Sequence, residues 1–252
     1  MKQKHRNFTF FIEKDYDALS RRAAEIIGAK IKLKPNAVLG LATGSTPIGA
    51  YRELIAAFKA GELDFSSLTS FNLDEYYPIS KANDQSYHYF MHDNLFNHVN
   101  MRREHIFVPD GEAVDARVEC ANFEQKIADA GGIELQLLGL GDNGHIAFNE
   151  PADSFAQATF HVELDKATIE ANSRFFANVN DVPKHALTMG IGTIMQANEI
   201  LMLISGEKKA EIAEKVLFGE ITPRVPGSAL QLHQNVTIIL DEPAAKLLLA
   251  KL

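Results

Sequence analysis

Residues 134–151 read ELQLLGLGDNGHIAFNEP. The first seven residues are a short, mostly apolar run, the length of a buried strand. The run ends in a formal G-x-G-x-x-G, Gly139 to Gly144. A dinucleotide-binding turn needs a helix directly after those glycines. HIAFNEP is a poor helix opening and reaches Pro151 within seven residues. The dinucleotide reading therefore fails. What remains is a buried strand followed by a sharp glycine turn, where the backbone can approach a ligand closely.

Working outward, the same pattern recurs. FTFFI (8–12), AVLGLA (37–42), SLTSFNL (67–73), HIFVP (105–109), EILMLIS (199–205) and VTIIL (236–240) read as strands. Between them lie helical segments at 15–32, 86–98, 114–130 and 207–218, and a short one running to Leu252. A further helix starts with Thr46 as N-cap and Pro47 at the first helical position, where a missing N–H costs nothing. Its apolar stripe is Tyr51, Leu54, Ile55 and Phe58, and Gly61 ends it. Continuously apolar strands separated by amphipathic helices predict an α/β fold. The expected architecture is a doubly wound, mostly parallel sheet with helices on both faces, Rossmann-like and three-layered. The chain reads as a single domain, 1–252, without repeats or linkers. Residues 152–185 show no clear strand and are a candidate lid.

Composition narrows the function. The chain has 252 residues, 46% hydrophobic and 23% charged, so it can bury a full core. Its formal net charge of −8 disfavours nucleic acid as a partner. No apolar run approaches the ~18 residues that span a bilayer, and the run Phe8 to Ile12 is too short for a signal-peptide core. The one cysteine excludes an intrachain disulfide. Cys120 falls on a stripe with Ala116, Phe123 and Ile127 and reads as a core thiol. A cytoplasmic setting is expected.

In a parallel sheet, ligands bind outside the carboxyl ends of the strands. Four strand ends here carry unusual sequence. After AVLGLA come Thr43, Gly44, Ser45 and Thr46, opening a helix. Free backbone N–H groups and the helix dipole suit an anion there. A plain capped turn would account for Thr46 but not for four small residues in a row. After SLTSFNL come Asp74 and Glu75, which point to opposite faces of an extended chain. One carboxylate can enter a cleft and act as a base while the other turns away. After ELQLLGL comes the turn with Asp142, Asn143 and His145, five residues before Glu150. A histidine poised by a carboxylate is the usual acid–base pair near neutrality. After EILMLIS comes Lys209 in a first helical turn, a cation against the dipole unless an anion binds nearby. Arg174, flanked by Asn172, Ser173, Phe175 and Phe176, is a second cation suited to phosphate. It reads equally well as a surface arginine. His88 and His92 share i, i+4 spacing but lack the H-E-x-x-H glutamate, so no metal is assigned. No nucleophile elbow is present.

The segments LGLATGSTP, SFNLDEYYPI, QSYHYFMHDNLF, GLGDNGHIAFNEP, ANSRFF and SGEKKA run in order over about residues 37–242. Together they resemble the glucosamine-6-phosphate deaminase (isomerase) family. The wider superfamily, 6-phosphogluconolactonases included, shares the fold. The resemblance implies conversion of glucosamine 6-phosphate and water to fructose 6-phosphate and ammonia, without metal or organic cofactor. A galactosamine-6-phosphate deaminase is the nearest alternative, then a 6-phosphogluconolactonase, then a sugar-phosphate-binding regulator. By the same resemblance His145 assists ring opening, with Glu150 and Asn143 orienting and polarising it. Asp74 moves the proton at C2. Gly44, Ser45 and Thr46, with Arg174 and Lys209, hold the phosphate. The expected partner is this small amino sugar phosphate, with neither nucleic acid nor membrane, for a monomer or homo-oligomer.

Two departures stand out. Many members carry aspartate where this chain has Asn143, with the acid here one place earlier at Asp142. An amide orients by hydrogen bonding but cannot stabilise an imidazolium as a carboxylate does. That role then falls to Glu150. Members regulated by N-acetylglucosamine 6-phosphate place basic residues after Glu150-Pro151. Phe160 and Val162 fall at those positions, so no such activation is expected, and the short C-terminus favours a monomer.

Overall fold

The computed structural model describes residues 2–249 and 251, apart from 6, 174, 175, 177, 179 and 180. Its main sheet is built from β1 (Lys2–His5), β2 (Phe8–Glu13), β3 (Val38–Leu41), β4 (Thr69–Asn72), β6 (Ile106–Phe107), β7 (Leu135–Leu138), β10 (Glu199–Ile204) and β11 (Val236–Asp241). The order is β1-β2-β11-β10-β7-β3-β4-β6. All pairs are parallel except β1 with β2. Every residue of β3 and β7 is buried, as is β10 after its first residue. Alternate side chains of a strand face opposite ways, so burial at every position means that both faces are covered.

The helices are α1 (Tyr16–Leu33), α2 (Ile48–Lys59), α3 (Tyr87–Asn94), α4 (Ala116–Asp129), α5 (Lys166–Asn172), α6 (Ile191–Met195), α7 (Ala210–Phe218) and α8 (Glu242–Ala245). Helix α1 shows why they form. Asp15 caps it, accepting the Ala18 N–H at 2.8 Å. Leu19, Ala23, Ile27 and Ile31, four apart, make its buried stripe. Cys120 is buried on α4.

Chain order places the site. From β3 the sheet grows outward through β4 and β6, whereas β7, β10 and β11 lie on its other side. The loops leaving β3 and β7 therefore diverge, and a crevice opens at their carboxyl ends.

A second sheet stands over this rim. It contains β5 (Asp74–Tyr77), β8 (Phe160–Glu163) and β9 (His185–Thr188), all antiparallel. Leu73 is the fork between the two sheets. Its N–H donates to Leu41 O and its carbonyl accepts from Met189 N. Glu124 of α4 fastens the small sheet from outside, accepting from Thr159 N and Oγ1 and from Thr193 Oγ1.

The structure corrects several expectations. Residues 152–185 contain β8, the whole of α5 and the first residue of β9. Strand β8 is half exposed, with burial alternating over only four residues, which leaves little apolar signal. Asp74 follows the strand before it, as expected, and itself opens a further strand that the sequence did not suggest. Helix α2 begins at Ile48 with Pro47 at the cap position and no side-chain cap. Tyr16 explains this: its Oη accepts the Gly49 N–H at 2.9 Å and lies 3.0 and 3.1 Å from the Ser45 and Thr46 carbonyls. A distant hydroxyl does the work expected of Thr46. The helix expected over 86–98 breaks at Leu95 into α3 and a 3₁₀ turn, Phe96–His98. The helix expected from Glu207 opens as a 3₁₀ turn before α7. The last helix stops at Ala245.

Candidate active site

The loop after β3 needs a residue with positive φ, and Gly44 supplies it at +94°. Ser45 and Thr46 then line a cavity of about 370 Å³ with Tyr16, Ile48, Arg52 and Ser205. Ser205 follows β10, so the cavity joins two of the strand-end loops.

The turn after β7 is closed by Gly141 N–H donating to His145 O and Gly144 N–H donating to Gly141 O. A Cβ on Gly141 would lie 2.2 Å from His145 Nε2. The glycine is therefore there to admit the imidazole. Asn143 spans the turn: its Oδ1 accepts the His145 N–H at 3.1 Å, and its Nδ2 donates to Glu150 Oε2 at 2.8 Å. Glu150 Oε2 also lies 3.5 Å from His145 Nδ1. That contact falls short of a hydrogen bond, since His145 Nδ1 is buried without a hydrogen-bond partner among the described residues, and it becomes an ion pair only when the imidazole is protonated. Glu150 Oε1 accepts from Thr168 Oγ1 of α5 at 2.6 Å. Burial alone would raise the Glu150 carboxyl. The imidazole, then Thr168 and Asn143, outweigh it and hold the group at about 2.

Asp74 is in the opposite state. It is 6% exposed, and burial together with the charge of Glu75 raises it well above the ordinary carboxylate range. Glu75 turns away, as adjacent strand residues must. It caps α3, accepting from Tyr87 N and His88 N at 2.8 Å and from Tyr76 N at 2.9 Å. Burial still dominates those bonds and pushes Glu75 up to about 7.

Direct contacts tie the four loops together. Thr188 pairs with Asp74 across the small sheet and accepts the Phe148 N–H at 3.0 Å, three residues past His145. The Tyr76 ring packs against Phe148 and Tyr87. Tyr87 in turn stacks on Phe148, and Phe176 meets the Tyr76 ring edge-on. Asp74 acts electrostatically on both tyrosines. Lys209 donates to the carboxylate of Asp142, joining the loop after β10 to that after β7. Arg174 lies outside the described residues. His88 and His92 fall elsewhere, their rings 4.6 Å apart beside a cavity of about 310 Å³ shared with Arg103 and Ile106. Sequence reading missed Thr168, Tyr16 and Thr188, whose only signal is a hydroxyl.

A fold with its crevice at this switch point, lined by such carboxylates and a histidine, defines a class. The chain belongs to the family of glucosamine-6-phosphate isomerases and 6-phosphogluconolactonases, whose model matches residues 13–239. It is 55% identical over 232 residues to the glucosamine-6-phosphate deaminase of Clostridioides difficile (strain 630), covering 92% of this chain and 93% of that one. It is 51% identical over 237 residues to the glucosamine-6-phosphate deaminase of Clostridium perfringens (strain 13 / Type A), covering 94% and 98%. A solved monomeric glucosamine-6-phosphate deaminase superposes with TM-score 0.92 at 46% identity, covering 94% of this chain and 99% of that chain. The 6-phosphogluconolactonase from Plasmodium vivax shares the fold, with TM-score 0.72 at 18% identity over 95% and 92% of the two chains.

Proposed function

We propose that this chain is an enzyme that isomerises and hydrolytically deaminates glucosamine 6-phosphate to fructose 6-phosphate and ammonia. The observation that carries the reading is a pair of oppositely tuned carboxylates at one rim. Glu150 is held ionised beside His145, and Asp74 is held far more basic one strand away. Carboxyl groups driven apart in this way mark an acid–base division of labour.

The steps follow from these groups. His145 takes the proton from the C1 hydroxyl and returns one to the ring oxygen, opening the pyranose. Glu150 stabilises the imidazolium formed in between, and Asn143 keeps both in register. Asp74 removes the C2 proton and delivers one to C1 through an enolamine. The C2 imine that results adds water and expels ammonia. Desolvation makes Asp74 a stronger base than a solvated aspartate, and its fixed backbone lets it reach two adjacent carbons. Gly44, Ser45 and Thr46, with Lys209 and Arg174, bind the phosphate and so anchor the reacting carbons. No metal or organic cofactor takes part. The enzyme works as a cytoplasmic monomer. The monomeric relative supports that state, and Phe160 and Val162, where basic residues would bind N-acetylglucosamine 6-phosphate, support an enzyme without that activation.

The test offers purified protein glucosamine 6-phosphate, galactosamine 6-phosphate and 6-phosphogluconolactone. Fructose 6-phosphate and ammonium should form in equal amounts from the first. Absence of both products at micromolar enzyme rejects the reading, and light scattering during size exclusion checks the monomer.

A further inference from the structure

Glu150 has two carboxylate oxygens with separate tasks. Oε2 faces His145 and Asn143 from the turn after β7. Oε1 is taken by one donor, the Thr168 hydroxyl at 2.6 Å. Thr168 is 5% exposed and sits in the first turn of α5, eighteen residues along the chain and outside the strand-end loops. A carboxylate held at one oxygen only can still swing about its terminal torsion, which is broad and roughly two-fold. Held at both, its plane is fixed, and Oε2 is aimed at the imidazole. The helix carrying Thr168 has a second anchor, where Ile169 packs against the small apolar cluster that holds Tyr76 and Phe148.

We infer that Thr168 is a positioning residue for the reaction: its hydroxyl locks the Glu150 carboxylate in the orientation that supports His145, so that the proton-transfer pair is complete only with α5 docked. Thr168 acts through Glu150 and not on the substrate. The inference rests on the proposed role of Glu150, and its test separates the two.

Thr168→Val keeps the shape and removes the hydroxyl, Thr168→Ala removes hydroxyl and methyl, and Thr168→Ser keeps the hydroxyl. They are compared with the wild type and with Glu150→Gln, each checked for folding by circular dichroism. Loss of one bond to a charged acceptor corresponds to roughly tenfold to a hundredfold in kcat. Val and Ala should both lose that much with KM nearly unchanged, and Ser should stay within about threefold of wild type. If Val fails to fold, Ala against Ser gives the same comparison. A serine variant as slow as the others would show that the methyl's packing matters and not the hydroxyl, which overturns the inference. So would a rise in KM at constant kcat, which would mean that α5 serves binding. Wild-type rates for Val and Ala, with Glu150→Gln impaired, reject Thr168 alone. An unimpaired Glu150→Gln rejects the role of Glu150 and the inference with it.

Discussion

Asp74 and Glu75 are neighbours in sequence, both buried, and solvated in opposite ways. Glu75 accepts three backbone N–H groups at the start of α3. Asp74 has burial and the Glu75 charge acting on it, and both raise its proton affinity. The pair should dominate the pH dependence of stability. Glu75 sits at about 7 in the fold against 4.5 unfolded, so the native state holds the extra proton between those values. Its stabilisation is complete below pH 4.5 and is lost as pH rises through 7, at most about 3 kcal/mol. Glu150 has the other sign: its contribution is present above 4.5 and is lost as pH falls toward 2. Urea unfolding of the wild type between pH 5 and 8 should show falling stability, and Glu75→Gln should flatten the curve. An equally steep curve in the variant would assign the slope elsewhere.

Asp74→Asn keeps the shape of the side chain and removes the base. Exchange of the C2 proton with deuterated solvent should vanish, and kcat should fall by roughly a hundredfold or more. Binding of the substrate should change little, because the phosphate loop after β3 is untouched. Exchange at the wild-type rate would reassign the base.

Gly141→Ala tests the turn after β7 without touching a polar group. The new Cβ would lie 2.2 Å from His145 Nε2, so the imidazole must move. A reacting group displaced by about 1 Å can cost on the order of a hundredfold in rate. We expect kcat to drop by that order while the thermal midpoint moves only a few degrees. A fully active Gly141→Ala enzyme would show that His145 does not react from this position.

These three tests also show what the chain disclosed beforehand. Main-sheet strands were legible because their apolar runs are bounded by glycine and polar residues, as in ELQLLGL before Gly141. Asp74, His145 and Glu150 were legible because each follows or lies near such a run. Strand β8 was not, since Phe160–Glu163 is a half-exposed strand whose partners are distant in sequence. Nor was Tyr16, which replaces the expected Thr46 cap from 30 residues away. Thr168 looks like any helical threonine until the fold sets it against Glu150. Local pattern encodes strands and turns, whereas long-range hydrogen bonds depend on topology.

Lys209 supplies the last prediction. It stands at the start of α7, where the helix dipole disfavours a cation, and the Asp142 carboxylate neutralises it. Asp142 is 74% exposed, so the ion pair adds little stability. In the proposed reaction the substrate phosphate needs the same ammonium, and Asp142 must give it up. Asp142→Asn should therefore lower KM for the sugar phosphate by about twofold to fivefold at low ionic strength, with kcat held, because an exposed pair is worth at most about 1 kcal/mol. The gain should shrink as salt screens the competing charge. Lys209→Ala should raise KM, and the double variant should match Lys209→Ala alone, since Asp142 then has nothing to withhold. A lower KM for Asp142→Asn that persists without Lys209 would mean that the aspartate repels the phosphate directly, rather than competing for its cation.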